Sequence, residues 1–218
     1  MEKIACIFGS TGLIGSYLLE LLIADKRYKK IIVFNRKQTL LQNDKIVQLV
    51  GDYKTLEEHK DQLIADDYFC CLGTTMAKAK TRQAFEYVDY TLPIEIGKIA
   101  IQNKVTNYAV VSSIGASAKS GNFYLSTKGK MEEAIKSSGF ENLFIFRPSM
   151  LLGKRNETRL VESISKPVFS IIGFILWGPL KKYRAIHGKV VAKAMINCVQ
   201  ENKGNLTIES DKIQKMAG

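Results

Sequence analysis

Histidine is almost missing from this chain of 218 residues: His59 and His187 are the only two, far apart and without ligand spacing. A protein-held transition metal is therefore not expected. Proline occurs 4 times and no low-complexity stretch separates one part from another, which argues for one compact domain over residues 1–218. Cysteine also occurs only 4 times, too few at this length for a disulfide framework. Cys6, Cys70 and Cys71 fall inside apolar, strand-like runs and read as buried, reduced thiols. The longest apolar run, residues 167–180, falls short of the roughly 20 residues that a membrane-spanning helix needs. Met1-Glu2-Lys3 leads straight into an apolar run and a glycine turn, so no secretory leader is expected and the cytoplasm is the expected compartment.

Acidic residues are outnumbered, 21 against 32 basic, for a formal charge of +11. The basic residues are scattered in twos and threes, as in Lys26-Arg27 and Lys29-Lys30. None forms a long tract interleaved with aromatics, so no nucleic-acid partner is expected. The excess reads as a solvated surface that also steers an anionic cofactor.

What the chain does contain is alternation. Short apolar runs at residues 3–8, 31–34, 46–50, 68–72, 107–112 and 142–146 read as buried strands. Amphipathic segments at 13–24, 55–64, 81–102 and 124–137 lie between them. That order predicts an α/β fold, a Rossmann-type doubly wound parallel sheet covered on both faces. Pro93 should start a new turn inside segment 81–102 or kink it. After Pro148 the rhythm changes: a helix at 189–200 and a last strand at 205–209 are expected. Residues 155–218 are expected to form a small C-terminal α/β extension on the substrate side.

Gly9-Ser10-Thr11-Gly12-Leu13-Ile14-Gly15 follows a strand and opens a helix. A tight strand-to-helix turn needs positive φ, a pyrophosphate needs backbone without Cβ in its way, and the helix must lie close to the sheet. The free N–H groups at the helix start then bind phosphate, with the helix dipole assisting. At the end of the second strand a fold selective for NAD usually carries an acid for the ribose hydroxyls. This chain has Asn35-Arg36-Lys37 instead. Arg36 can grip a 2′-phosphate with its planar fork, so NADP(H) is favoured over NAD(H). Asp52, after the third strand, is placed to meet the adenine or to cap the next turn.

Tyr124 has a lysine four residues later, Lys128, on the same helix face. Ser112-Ser113 ends the fifth strand a dozen residues upstream. A serine at the carboxyl edge of a parallel sheet and a tyrosine on the following helix converge on the crevice where ligands bind. Ser113 would hold a substrate oxygen, Tyr124 would move its proton, and the Lys128 ammonium would stabilise phenolate and reach the cofactor ribose. Lowering a phenol by about 3 pH units takes about 4 kcal/mol, much of which a neighbouring ammonium can supply. Ser112 is the weaker candidate of the pair, because strand side chains alternate.

The motifs IFGSTGLIG, CCLGTT, VVSSIGA, YLSTK and FRPSMLLG, in that order, resemble the short-chain dehydrogenase/reductase superfamily. The nearer resemblance is to its atypical or extended NAD(P)H-binding branch, beside the NAD-dependent epimerases/dehydratases and the Tat-interacting oxidoreductase homologues. It covers about residues 3–155. The resemblance implies that Gly9 to Ile14 line the diphosphate and ribose, and that Cys71, Leu72, Gly73 and Thr74 run along the adenosine side. It implies Ser113, Tyr124 and Lys128 as the catalytic triad, with Pro148, Ser149, Met150 and Leu151 facing the nicotinamide carboxamide.

The expected function is Ser/Tyr/Lys-assisted hydride transfer between NADP(H) and a small carbonyl or alcohol, or an epimerase-like variant of it. The alternative is a cofactor-binding regulatory or interaction protein with a vestigial triad. The partner expected is a small-molecule substrate. The apolar stretch around Trp177 is expected to pack on the core or over the cleft; a homodimer interface is the next reading and a membrane surface the least favoured.

Overall fold

The computed structural model describes residues 2–40, 42–153 and 182–218. Residues 154–181, the apolar 167–180 segment among them, lie outside the described residues.

Seven parallel strands form one sheet in the order β3-β2-β1-β4-β5-β6-β9. They are β1 (Lys3–Phe8), β2 (Tyr28–Asn35), β3 (Ile46–Val50), β4 (Asp67–Cys70), β5 (Asn107–Val111), β6 (Asn142–Arg147) and β9 (Asn205–Glu209). A separate parallel pair joins β7 (Leu151–Leu152) to β8 (Ile186–His187). The sequence reading missed this pair, since two-residue strands carry no periodicity.

Because strand side chains alternate, each strand feeds two cores. In β1, Ala5 and Ile7 join one cluster, with Leu18 and Leu22 of α1 (Leu13–Ala24) and Val191 and Met195 of α6 (Gly188–Glu201). Cys6 and Phe8 join the other, with Leu92 and Ile96 of α4 (Leu92–Gln102) and Met131 of α5 (Phe123–Lys136). These residues are nearly all inaccessible to solvent, and each large apolar side chain so buried contributes about 1.5–3 kcal/mol. The described C-terminal residues are part of this body: β9 extends the sheet and α6 packs on α1. A final helix, α7 (Ser210–Met216), follows β9.

The segment read as one amphipathic stretch over 81–102 divides into three. After a single helical turn, α2 (Met76–Ala79), a short helix, α3 (Arg82–Glu86), runs into a π-helical turn at Tyr87–Thr91, and α4 follows without a break. Pro93 supplies the reason. Its missing N–H leaves the Asp89 carbonyl without the usual donor, and its ring crowds that carbonyl, so the chain widens by one residue. Residues 53–62 are also tighter than expected: Tyr53–Gln62 is 3-10 helix, kinked at Thr55.

Candidate active site

The order of the sheet places the site. The chain reverses its direction of travel across the sheet between β1 and β4, and a ligand crevice opens there at the carboxyl ends of the strands. The glycine turn and residues 71–74 meet at that point, and the Cys71 N–H donates to the Phe8 carbonyl at 2.8 Å.

Each glycine of the turn has its own reason. Gly9 has φ +87°, the left-handed region that side chains avoid. A Cβ on it would also stand 3.0 Å from the Cys71 carbonyl. Gly12 is the N-cap of α1 with φ −77°, and a Cβ there would press on the Gly9 oxygen at 3.2 Å. At Gly15 a Cβ would come within 2.1 Å of that same oxygen. Thus only Gly9 needs positive φ, while Gly12 and Gly15 permit close approach. No side chain caps α1, so the N–H groups of Leu13, Ile14 and Gly15 keep their donor capacity for a ligand. Thr11 is exposed beside them. Ser10 is buried, and its hydroxyl donates to Asn35 Oδ1 at 3.0 Å. The Asn35 Nδ2 is buried with no hydrogen-bond partner among the described residues. An uncapped helix start, a cradle that Cβ atoms would fill and an orphaned amide donor together suit a dinucleotide diphosphate.

Arg36 is exposed immediately after β2. Asp52 caps the 3-10 segment, its Oδ1 accepting from the Lys54 N–H at 3.0 Å. Both act electrostatically on Tyr87, whose hydroxyl is buried without a hydrogen-bond partner among the described residues. Burial raises the Tyr87 phenol above its ordinary value and the Asp52 charge adds to this, while Arg36 opposes it. Arg36 and Asp52 therefore lie near enough to Tyr87 for their charges to act on it. A cleft of about 290 Å³ lies beside it, lined by Tyr53, Tyr87, Leu92 and Glu95 among others. None of the triad residues lines that cleft.

At the other end, α5 begins at an Asn122 cap whose Oδ1 accepts from the Leu125 N–H at 3.1 Å. Tyr124 lies in the first turn, half-buried, with the Phe85 ring edge-on at 5.7 Å. Lys128, one turn later, is buried. Its ammonium donates to the Val111 carbonyl at 3.3 Å and pairs with Asp89 Oδ1 at 2.8 Å. The lysine is thereby fixed under the end of β5, two residues before Ser113. Burial alone would lower the proton affinity of Lys128. The Asp89 carboxylate and the Tyr124 oxygen more than offset it, and the ammonium is held above the ordinary lysine range. Gly129 lets the loop after β5 lie directly on α5, since a Cβ there would meet the Ser117 and Ala118 backbone at 2.1 Å.

Ser113 is half-buried, and its hydroxyl makes one long contact, donating to the Ile114 carbonyl at 3.4 Å. Ser112 is buried and donates to Glu132 Oε1 at 2.5 Å, in a network with Arg147 and Glu209. Its hydroxyl is committed to that network. Pro148, Met150 and Leu151 follow β6. The Pro148 carbonyl accepts from the Ile114 N–H at 3.0 Å, and the Met150 carbonyl from the Ile186 N–H at 2.9 Å. Ser149 is taken up by the Arg184 carbonyl and the Ser210 hydroxyl.

Sequence reasoning missed Asp89. Besides holding Lys128, its Oδ2 accepts from the Thr74 N–H at 2.8 Å, which ties the loop after β4 to the same carboxylate. The signal was an acid on the apolar face of a helical segment, four residues before a proline. Among the described residues no cluster of His, Cys, Asp and Glu could hold a metal ion, and no helix is long and apolar enough to cross a membrane. All four cysteines are free thiols, and burial pushes Cys70 up to about 11.

The family model described as HIM1 matches residues 31–177. The mitochondrial protein FMP52-1 of Scheffersomyces stipitis is 31% identical over 91% of this chain and 88% of its own length. Protein HTATIP2 of Rattus norvegicus is 29% identical over 77% of this chain and 71% of its own. Among solved structures, the Bordetella bronchiseptica enzyme WbmH in complex with NAD+ superposes with a TM-score of 0.72 at 16% identity, covering 100% of this chain and 80% of that one. This likeness supports the Rossmann architecture. The expected cytoplasmic location is overturned: FMP52 relatives across several fungi are named as mitochondrial. Reduced thiols and the lack of a long apolar run cannot tell one reducing compartment from another.

Proposed function

The chain belongs to the HIM1 family, and from that premise and the geometry of its site we propose that it is an NADP(H)-dependent oxidoreductase of the short-chain dehydrogenase/reductase type. Its substrate is a small carbonyl compound or the corresponding alcohol. One observation carries this reading: Lys128 is buried under the end of β5, one helical turn from Tyr124, beside the crevice that the glycine turn opens. Burying an ammonium costs several kcal/mol, which its pairing does little more than repay, and this supports a role for Lys128 beyond holding the fold.

The dinucleotide, when bound, supplies or accepts hydride. The chain does the rest. The N–H groups of Leu13, Ile14 and Gly15 receive the diphosphate, and Gly9, Ser10, Thr11 and Gly12 form the wall against it. Arg36 grips the 2′-phosphate, while Asp52 and the segment Cys71-Leu72-Gly73-Thr74 border the adenosine. Pro148, Met150 and Leu151 border the nicotinamide side. Ser113 donates a hydrogen bond to the substrate oxygen and holds it within reach of Tyr124, which transfers the proton.

A screen of small carbonyl compounds with NADPH, run on the wild type and on Tyr124→Phe, tests the proposal. Activity that the substitution reduces by about 100-fold or more is expected, the usual range for a proton-transfer group. Dinucleotide binding without turnover on any compound would favour a regulatory cofactor-binding protein instead.

A further inference from the structure

Asp89 joins two parts of the site that are distant in sequence. One carboxylate oxygen pairs with Lys128 at 2.8 Å, and the other accepts the Thr74 N–H at 2.8 Å. Both side chains of the ion pair are almost wholly buried, at 1% and 3% exposure, so solvent does little to screen them. The π-helical turn is what turns this acid inward, and such turns recur at functional positions. Gly73 adds to the fit: a Cβ there would stand 3.5 Å from Asp89 Oδ1, so the loop rests against the carboxylate. The charged and titratable groups facing this spot are Asp89 from the π turn, Lys128 and Tyr124 from α5, and the Cys70 thiol from β4.

A lone ammonium next to Tyr124 would draw the phenol toward phenolate. An ammonium already matched by a carboxylate presents a dipole instead of a net charge, and its pull on the phenol is weaker. Resting on the oxidoreductase reading, we propose that Asp89 is the positioning residue of this site: it anchors Lys128 and cancels its charge, making Tyr124 a proton donor suited to carbonyl reduction. In that direction the bound dinucleotide would supply hydride to the carbonyl carbon, and Tyr124 would give its proton to the carbonyl oxygen. The phenolate left behind recovers a proton from water, and alcohol and oxidised dinucleotide leave.

The test is a charge cycle read by 13C NMR of tyrosine Cζ, with the Tyr124 resonance assigned through Tyr124→Phe. Asp89→Asn leaves Lys128 uncompensated and should lower the Tyr124 midpoint by about one to two pH units. Lys128→Met leaves the carboxylate uncompensated and should raise it. The double variant Asp89→Asn/Lys128→Met removes both charges with little change in shape, keeps the cycle readable if a single variant folds poorly, and should bring the midpoint back toward that of the wild type. The acid-side limb of the kcat profile for carbonyl reduction should follow Tyr124 in Asp89→Asn. Dinucleotide binding by the wild type together with an unmoved Tyr124 midpoint in these variants would overturn the proposal alone. Absence of dinucleotide binding by the wild type would overturn the oxidoreductase reading, and the proposal with it.

Discussion

Gly15→Ala puts the phosphate cradle to a quantitative test. A Cβ at this position would stand 2.1 Å from the Gly9 carbonyl oxygen, whereas ordinary contact begins near 3.4 Å. More than 1 Å must be found somewhere. It cannot come from α1, whose Leu18, Leu19 and Leu22 are locked in the core at 0–3% exposure. It must come from the turn, where the Gly9 carbonyl accepts the Gly12 N–H at 3.0 Å. Overpacking of this kind costs about 1–3 kcal/mol of stability. Losing one or two of the charge-assisted hydrogen bonds to phosphate, at about 1.5–3 kcal/mol each, raises the dinucleotide Kd by about 10-fold to well over 100-fold. Fluorescence titration with NADPH reads the affinity, and urea denaturation reads the stability. Gly121→Ala is the control, because a Cβ there meets nothing within 4 Å. A Gly15→Ala protein that binds NADPH within about threefold of the wild type would refute the argument that this helix start holds the diphosphate.

Further outcomes are expected elsewhere. Arg36→Ala should weaken NADPH by at least about 10-fold, a lost charge-assisted contact, and leave NADH nearly untouched; equal losses in titrations of both would remove the 2′-phosphate assignment. Arg147→Ala strips Glu132, whose side chain is 2% exposed, of its nearer cationic partner, at 2.6 Å, and should destabilise the protein by about 3–5 kcal/mol in chemical denaturation. A loss below about 1 kcal/mol would mean that the Ser112 and Lys136 contacts hold Glu132 without it. Stability should also fall in alkali. A buried thiol whose folded pKa exceeds its unfolded value lets the unfolded chain give up protons first, so its contribution is complete below about pH 9 and is lost as the pH rises toward the folded value. Cys70 is held near 11 by burial, so between about pH 9 and 11 it should cost about 1.4 kcal/mol per pH unit. Denaturation midpoints that stay flat across that window would contradict the burial of this thiol.

The fold was legible because burial on both faces leaves a simple trace. β1, β3 and β9 were bounded correctly by their apolar runs, since each is flanked by polar residues or glycine. β2 was read too short: its first residues, Tyr28-Lys29-Lys30, look polar, although Tyr28 is wholly buried with its hydroxyl on Asp67 Oδ2 at 2.5 Å. The glycine turn was legible as a local pattern, and Tyr124 with Lys128 as a helical spacing. Asp89 was not, because its meaning depends on two partners, one 15 residues before it and one 39 residues after it. No local period connects them. Ser149 was assigned to the nicotinamide side by resemblance, and only the folded chain shows its hydroxyl engaged by Arg184 and Ser210.

The position of Asp89 also bears on why the site should favour one direction of chemistry. Lys128 has to be buried to sit under β5, and a buried ammonium needs a counter-charge or it loses its proton. In the open architecture of this sheet the counter-charge can come from β4, from α5 itself or from the segment between them. Cys70 on β4 is a thiol that burial keeps neutral, and the residues of α5 one turn either side of Lys128 are Tyr124 and Glu132. Glu132 is already committed to Arg147, Lys136 and Ser112. The π turn before Pro93 is what remains, and it delivers Asp89. The Lys128 ammonium is thereby matched by a carboxylate at 2.8 Å, and it is from this pairing that the proposed role of Tyr124 as a proton donor follows.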